Sequence, residues 1–171
     1  MAGVRVEGAS GEGVSVDDVG GRDLESRDFE LFAITTEPRL RRALVARYGI
    51  DIGVEATSDA MAYAWEHWQR LSTMTNPTGY LWRVAQSSVR RQHRWSRRPT
   101  YPAEVAPPLE GGPSLPEALF ALRSQVRVAV MLVHGYDWTY AEVAELLGVP
   151  VSTVRNHVHR GLKKLREGRE G

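Results

Sequence analysis

The chain has 171 residues, of which 42% are hydrophobic, and its formal net charge is +1. This composition can form packed cores, in one ordinary domain or two small ones, and it excludes a chain that is disordered throughout. The absence of cysteine excludes disulfides, thiolate metal sites and a cysteine nucleophile. No apolar run is long enough to span a membrane, and residues 1–21 lack the apolar core of a signal peptide. We therefore expect a cytoplasmic protein.

The charge is distributed unevenly along the chain. Residues 1–30 carry eight acids and three arginines, whereas residues 61–100 carry one acid and seven arginines. A second basic zone follows in residues 139–171, with six bases and four acids. Two separate basic zones predict two contact surfaces for a polyanion, although solvated helix faces can give the same pattern.

The first helical pattern follows an acidic, glycine-rich leader. Residues 1–27 are predicted to be disordered because glycines interrupt any apolar periodicity. A helix is expected from Phe29, and Pro38 is expected to break it and to begin a second helix. After a loop at residues 49–53, a further helix is predicted over about residues 54–71.

Asn76 and Pro77 are a good N-cap and a good first residue for the next helix, which we expect to end near Trp95. Arginines at positions 83, 90, 94 and 97 share one face of this helix, because they lie seven, four and three residues apart. Guanidinium groups bind phosphates and aromatic faces stack on unpaired bases, so this helix suits melted or single-stranded DNA. The alternative interpretation places Trp82 and Trp95 in the core and has the arginines only keep the helix soluble. For the two tryptophans we favour this core role.

Proline and glycine are dense in residues 97–113, which predicts an extended, semi-rigid linker. The linker separates a helical domain at residues 28–96 from a second one at residues 114–168. No useful β-alternation is present anywhere in the chain. The predicted fold class is therefore all-α, with two small helical domains, the second of which ends in a helix-turn-helix.

The segment from Thr139 to Arg166 carries the signals of a helix-turn-helix. Thr139 and Glu142 form a capping box for its first helix, and Ala144 is small enough for two helices to cross steeply. Gly148 supplies the positive φ that the turn requires. An ordinary helical hairpin with a solvated face is the alternative interpretation.

The second helix of this motif has an apolar stripe, formed by Val151, Val154, Val158, Leu162 and Leu165. Polar residues off the stripe are free to enter a major groove or to contact phosphates. These candidate DNA contacts are Ser152, Thr153, Arg155, Asn156, His157, His159, Arg160, Lys163 and Lys164. Gly161 interrupts the helix and is expected to cost about 1 kcal/mol relative to alanine.

Together these features resemble the bacterial sigma factors of the extracytoplasmic-function class, over roughly residues 29–167. Residues 115–122, 140–148, 153–155, 159–160 and 165–166 resemble the fourth conserved region of that family. Residues 29–32, 38–40, 64–68 and 76–85 resemble its second region. The resemblance implies that the first domain binds core RNA polymerase and melts the minus-ten promoter element. It implies that the second domain reads the minus-thirty-five element through the nine candidate contacts.

The resemblance also assigns roles to residues of the first domain. The loop over residues 72–76 and the following helix would capture a flipped-out base. The implied contacts to the melted strand are Asn76, Tyr80, Arg83, Ser87, Arg90, Arg91 and Arg94. The implied polymerase contacts are Glu55, Asp59, Trp65 and Trp68. His157 stands where an arginine is common in the family. The expected consequence is either a changed base preference or DNA binding that depends on pH near the ordinary histidine pKa of about 6.5.

The leading interpretation is therefore an alternative sigma factor, which is not an enzyme and needs no cofactor or metal. Its expected partners are core RNA polymerase and promoter DNA, and an anti-sigma factor is a further candidate. A second interpretation is a stand-alone helix-turn-helix regulator that binds duplex DNA without polymerase. An enzyme or metalloprotein is disfavoured, because the five histidines are scattered and neither a phosphate-binding loop nor a nucleophile motif is present.

Overall fold

The structure is a computed structural model that describes residues 16–92 and 114–168, with side chains from residue 26 onward. In chain order its helices are α1 (Val16–Tyr48), α2 (Ile50–Glu66), α3 (Trp68–Leu71), α4 (Pro77–Gln92), α5 (Leu115–Phe120), α6 (Ser124–Val130), α7 (Tyr140–Leu147) and α8 (Val151–Glu167). A π-helical turn at Met131–Gly135 lies between α6 and α7. These two ranges contain no strand, and the predicted all-α fold is confirmed. Nowhere in them is a helix both long and apolar enough to cross a membrane.

The first helix is longer than the sequence indicated. It begins at Val16, so the expectation of disorder is wrong for residues 16–27, and residues 1–15 lie outside the described range. Phe29 and Phe32 pack against the core and fix this part of the helix. Extending a helix that is already nucleated costs little per residue, which accounts for the added turns.

Pro38 lies inside α1 and does not break it, contrary to the prediction. A proline in a helix interior costs about 3 kcal/mol, because it removes one hydrogen bond and crowds the preceding turn. Leu40 and Leu44, which follow it, are fully buried, and each buried leucine contributes about 1.5–3 kcal/mol. Packing of this face therefore outweighs the cost of Pro38.

The connection between α1 and α2 is a single residue. Gly49 has a φ of 90° and turns the chain, so the predicted loop at residues 49–53 is reduced to this position. Gly53 lies within α2, where a Cβ atom would stand 2.6 Å from the Cα of Val45. The two helix backbones touch at this point, and only glycine fits there.

The predicted helix over residues 54–71 is interrupted at His67, which separates α2 from α3. His67 leaves the helical region, with φ −119° and ψ 24°. The break reorients Trp68, whose ring then packs against Phe29 at a centroid distance of 5.4 Å. This packing attaches α3 to α1.

Gly161, which has no apparent role in the sequence pattern, lies at the contact between α6 and α8. A Cβ at this position would stand 2.9 Å from a methyl group of Val126 and closer still to one of Val130. The glycine therefore allows α8 to lie directly on α6, which offsets the helix-propensity cost that the sequence predicts.

The part of the chain over residues 16–92, here the first module, packs directly against residues 114–168, the second module. Arg127 of α6 is 5% exposed, and its Nε donates to the carbonyl oxygen of Ala46 at 2.7 Å. Its Nη2 donates to the carbonyl oxygen of Arg47 at 2.5 Å. The end of α1 is thus bound by a side chain of the second module, a contact that the sequence analysis does not anticipate.

Candidate nucleic-acid interface

The capping box that begins α7 is formed as predicted. The backbone N–H of Glu142 donates to Thr139 Oγ1 at 3.2 Å, and both the N–H and the hydroxyl of Thr139 donate to Glu142 Oε2 at 2.8 Å. These bonds from Thr139, with a smaller contribution from the charge of Arg39, lower the pKa of Glu142. At the other end of α7, Gly148 has a φ of 66°, which makes the turn into α8.

Ala144 and Val154 hold the two helices of the motif together. Ala144 is 6% exposed, Val154 is fully buried, and the carbonyl oxygen of Ala144 accepts the N–H of Val149 at 3.1 Å. The small side chain at position 144 lies in the contact where the sequence predicted it. The helix-turn-helix geometry is therefore present, with α8 as its second helix.

The apolar stripe of α8 packs inward and leaves most candidate DNA contacts on the surface. Val154 and Val158 are buried against the rest of the second module. The exposed candidates are Ser152, Arg155, Asn156, His159, Arg160, Lys163 and Lys164, and the half-buried ones are Thr153 and His157. The exposed set gives one polar, strongly basic face, and its contacts to DNA stay a prediction.

Arg155 is held in place by an aromatic ring of the preceding helix. Its guanidinium lies over the ring of Tyr140, 5.9 Å from the centroid. A cation over an aromatic face gains about 0.5–1 kcal/mol when exposed. The contact restricts the arginine before any DNA arrives.

His157 differs from the other candidates because it turns toward the body of the module. It lines a groove with Leu122, Arg123 and Ser124, and its Nδ1 is buried without a hydrogen-bond partner. Burial first, and the nearby charge of Arg160 second, lower the pKa of His157 below its ordinary value of 6.5. The expectation of pH-dependent binding near 6.5 is therefore corrected, because the lowered pKa moves any such dependence on His157 to lower pH.

The lowered pKa of His157 predicts a pH-dependent stability. An unfolded chain takes up a proton near pH 6.5 while the folded chain resists it, so the free energy of unfolding should decrease as pH falls from 6.5 toward the lower folded pKa. Urea unfolding at pH 7.5 and at pH 5.5 should give a smaller decrease for His157→Asn than for the natural chain. His159→Asn, at an exposed position of the same helix, is the matched control and should keep the full decrease. An undiminished decrease in His157→Asn would contradict the assignment.

The arginine face of α4 is exposed over the described residues. Arg83, Ser87, Arg90 and Arg91 all point away from the core. Trp82 is 2% exposed, which confirms its predicted role in the core. Arg94, Trp95 and Arg97 lie outside the described residues. The face that begins at Arg83 is thus available for a polyanion.

Asn76 caps α4 and also contacts the second module. Its Oδ1 accepts the N–H of Gly79 at 2.6 Å, which confirms the predicted N-cap. Its Nδ2 donates to the carbonyl oxygen of Glu145 in α7 at 2.9 Å. Asn76 thus joins the two modules, and its contact to a flipped-out base stays a prediction.

Tyr80 is half-buried and belongs to a small aromatic group. Its hydroxyl lies 3.1 Å from that of Tyr63, and the guanidinium of Arg70 stands 5.7 Å from its ring centroid. The hydrogen bond to Tyr80, followed by burial, raises the pKa of Tyr63. The ring of Tyr80 is held by these neighbours and presents only part of its surface to solvent.

The four predicted polymerase contacts fall into two groups. Trp65 is 54% exposed and Trp68 is half-buried, and the Phe29 ring lies 4.9 Å from that of Trp65. Asp59 is half-buried on α2, whereas Glu55 is exposed there. Asp59 Oδ2 accepts hydrogen bonds from Ser88 at 3.1 Å and from Gln92 at 3.0 Å. Asp59 therefore ties α2 to α4, a role that the resemblance did not suggest.

Sequence reasoning missed Arg127 and Arg39, whose side chains join the two modules. Arg39 Nη2 lies 2.9 Å from Glu142 Oε1, and its guanidinium covers the ring of Trp138 at 4.5 Å. One signal was available for Arg127, because it is the single charge in the apolar run over residues 126–133. A buried charge in such a run requires partners, but the sequence does not say which.

Comparison with known proteins agrees with this geometry. Residues 114–165 match the family described as Sigma-70, region 4. The fold is similar to that of the sigma factor RpoE solved in complex with the anti-sigma factor NepR from Bartonella quintana, with a TM-score of 0.59 and 20% sequence identity. That match covers 82% of this chain and 96% of the solved one. The similarity therefore extends across both modules.

Proposed function

Residues 114–165 form a sigma-70 region 4 domain, and from this premise we propose that the chain is an alternative sigma factor of the extracytoplasmic-function class. It directs core RNA polymerase to specific promoters and helps to melt them, and it acts in the cytoplasm. One observation carries the proposal: a basic α8 face and the exposed arginine face of α4 occur in one chain with the fold of a sigma factor. It performs no catalysis, and the polymerase supplies the chemistry.

In this proposal the second module binds the minus-thirty-five element as duplex DNA. The N-terminal part of a recognition helix contacts base edges, while basic residues farther along contact phosphates. Arg155 and Asn156 lie in the first half of α8, whereas Lys163 and Lys164 lie near its end. We assign base reading to the first pair and phosphate binding to the second.

The first module binds the melted minus-ten strand. Exposed arginines on one face of α4 neutralise phosphates without requiring a particular base. The buried position of Trp82 removes it as a stacking platform. Recognition of an unpaired base is assigned to Asn76 at the start of α4, whose Nδ2 carries a second N–H besides the one donated to Glu145.

The polymerase contact is assigned to the aromatic surface formed by Trp65, Trp68 and Phe29, together with the acid of Glu55. A tryptophan that is 54% exposed on a rigid helix suits a protein interface, where aromatic anchors contribute much of the binding energy. An anti-sigma factor is a further proposed partner, because the sigma factor of similar fold was solved with one bound.

The proposal is tested by transcription with purified components. Core polymerase, the chain and a library of linear promoter fragments should give run-off transcripts from a small set of fragments, and core alone should not. The chain should also co-elute with core in gel filtration. Tight binding to duplex DNA without core, with neither co-elution nor transcript, would favour a stand-alone regulator.

The arginine face of α4 gives a separate prediction. Arg90→Ala should slow open-complex formation more than it weakens binding of the closed promoter complex, because Arg90 is assigned to the melted strand. Stopped-flow fluorescence of a promoter labelled in the minus-ten element measures the first quantity, and a filter-binding assay at low temperature measures the second. Arg123→Ala, an exposed arginine of the second module, is the control and should not slow melting selectively. Equal effects of Arg90→Ala on both quantities would contradict the assignment.

A further inference from the structure

A basic groove lies between the start of α6 and the exposed side of α8. Its volume is about 680 Å³, which is within the range of clefts that bind small molecules. Arg123, Arg160 and Lys164 line it with positive charge, and Leu122 and Val126 add apolar surface. None of the residues that line the groove carries a carboxylate.

The three cations of the groove have no acidic partner within residues 26–92 and 114–168. Arg123, Arg160 and Lys164 are all exposed, and none of them takes part in an ion pair there. Burial, and after it the charge of Arg160, lowers the pKa of His157 in the groove wall. The groove therefore carries a positive potential that the described part of the protein leaves uncompensated.

His157 supplies a second, independent observation. The residue lines the groove, and its Nδ1 is buried without a hydrogen-bond partner among the described residues. Buried polar atoms of folded proteins are almost always paired, so an exception requires an explanation. An unpaired buried nitrogen beside three uncompensated cations is the pattern expected of a site that accepts a polar, anionic ligand.

The groove lies on a different side of α8 from the proposed base-reading arginine. His157, Arg160 and Lys164 are three and four residues apart in sequence, so they share one stripe of the helix. At 3.6 residues per turn, this stripe lies roughly 140° to 180° around the helix axis from Arg155. A ligand in the groove therefore leaves the Arg155 guanidinium free to contact a base.

We propose that this groove is a phosphate-binding site, formed by Arg123 at the start of α6 together with Arg160 and Lys164 of α8. Guanidinium groups bind phosphate oxygens through paired hydrogen bonds, and a lysine adds a point charge. The groove is larger than a phosphate group and has apolar walls at Leu122 and Val126, so the phosphate belongs to a larger molecule.

Two sources of the phosphate share this chemistry. The first is the backbone of the DNA duplex that α8 reads, and this case rests on the proposed function. The second is a free phosphorylated compound, and this case goes beyond the proposed function. In both cases Arg123 is the residue that distinguishes the groove from the rest of the basic surface, because it lies outside α8.

The first arm of the test uses the free protein and inorganic pyrophosphate. Calorimetric titration at about 0.1 M salt, where distant charges are screened, should give saturable binding to one site per chain. Arg123→Ala should weaken this binding about tenfold, because it removes hydrogen bonds between charged groups. The Arg123 side chain makes no capping bond to α6, so the variant should fold normally. Arg166→Ala is the matched control, because Arg166 is exposed on α8 but does not line the groove, and its effect should stay below about twofold.

His157 gives a second measurement on the same protein. The charged groups that line the groove with it are Arg123, Arg160 and Lys164, all cationic. An anion beside an imidazole favours the protonated form, so saturating sulfate should raise the pKa of His157 in an NMR titration. Sulfate is the probe here because its charge is constant over the range in which histidine titrates. The increase should be smaller in Arg123→Ala, and its absence in the natural chain would contradict the site.

The second arm distinguishes the two sources with a duplex that the chain binds. If the DNA backbone supplies the phosphate, Arg123→Ala should weaken duplex binding and reduce the salt slope by about one. If a free compound supplies it, Arg123→Ala should bind the duplex like the natural chain. Pyrophosphate should then also bind the complex with DNA as tightly as it binds the free protein.

Two results of the first arm would overturn the proposal. One is the absence of saturable pyrophosphate binding. The other is an equal loss of affinity in Arg123→Ala and Arg166→Ala, which would indicate only diffuse attraction to the basic face. The first arm needs neither DNA nor polymerase, so its failure is distinguishable from failure of the proposed function, which run-off transcription measures.

Discussion

Gly53→Ala is expected to lower the free energy of unfolding by about 2 kcal/mol, although alanine is the better helix former. Replacing an interior glycine by alanine gains about 1 kcal/mol of helix propensity. The added methyl would stand 2.6 Å from the Cα and the amide nitrogen of Val45 and 2.9 Å from the carbonyl carbon of Leu44. Backbone atoms cannot rotate away, so α1 and α2 must separate, and overpacking of this kind costs about 3 kcal/mol.

Urea unfolding followed by circular dichroism measures this loss. Gly135→Ala is the control, because a Cβ at Gly135 meets nothing within 4 Å, and its effect should stay within about 0.5 kcal/mol. The consequence also extends to function, since α2 carries Glu55 and Trp65 of the proposed polymerase contact. Unchanged or increased stability of Gly53→Ala would show that the helices are farther apart than the structure has them.

Arg155→Ala is expected to weaken binding to the preferred minus-thirty-five duplex by about 5- to 150-fold, and to weaken binding to unrelated duplexes much less. The loss of one base contact by an arginine corresponds to about 1–3 kcal/mol. Arg155 is exposed in the first half of α8, and the Tyr140 ring restricts its guanidinium. Fluorescence anisotropy with a selected duplex and a scrambled one measures the ratio of affinities.

Lys163→Ala is the matched control on the same helix, because it removes one charge from the proposed phosphate-binding end. Lys163 is exposed and pairs with Glu167 at 3.8 Å. Its loss should weaken binding to both duplexes about equally and reduce the salt slope by about one. If Arg155→Ala lowers both affinities by the same factor, Arg155 contacts phosphate and the assignment of base reading is wrong.

The helix-turn-helix is the part of the fold that the sequence determines most fully. Its signals are local. Thr139 and Glu142 are three residues apart, and the turn after α7 requires only that residue 148 adopt a positive φ. The apolar stripe of α8 follows from helical periodicity, and the burial of Val154 and Val158 agrees with it. Local signals of this kind are readable because each requires a particular residue type at a fixed spacing.

The positions of Pro38 and Gly53 could not be interpreted in the same way, because their meaning depends on a second helix. Pro38 is a helix breaker by propensity, and it is tolerated only because Leu40 and Leu44 are buried against α2 and its neighbours. Gly53 was assigned to a loop, whereas it marks the closest approach of two helices. Packing between helices determines that Pro38 and Gly53 lie inside helices. The apolar periodicity of a single helix contains no information about that packing.

The contacts between the modules were also outside the reach of sequence reasoning. Arg127 and Ala46 are 81 residues apart in the chain, and Asn76 and Glu145 are 69 apart. The interpretation of residues 97–113 as a linker between two DNA-binding domains implies separate modules, and those residues lie outside the described range. The structure instead brings the modules together, through contacts that include Arg127 with Ala46 and Asn76 with Glu145.

The most direct test of a sigma function is permanganate footprinting of a promoter identified by run-off transcription. Permanganate oxidises unpaired thymines, so it reports melting at the base level. Reactive thymines are expected at the minus-ten element only when core polymerase and this chain are both present. Duplex protection by the chain alone, with no reactive thymines after core is added, would contradict a sigma function.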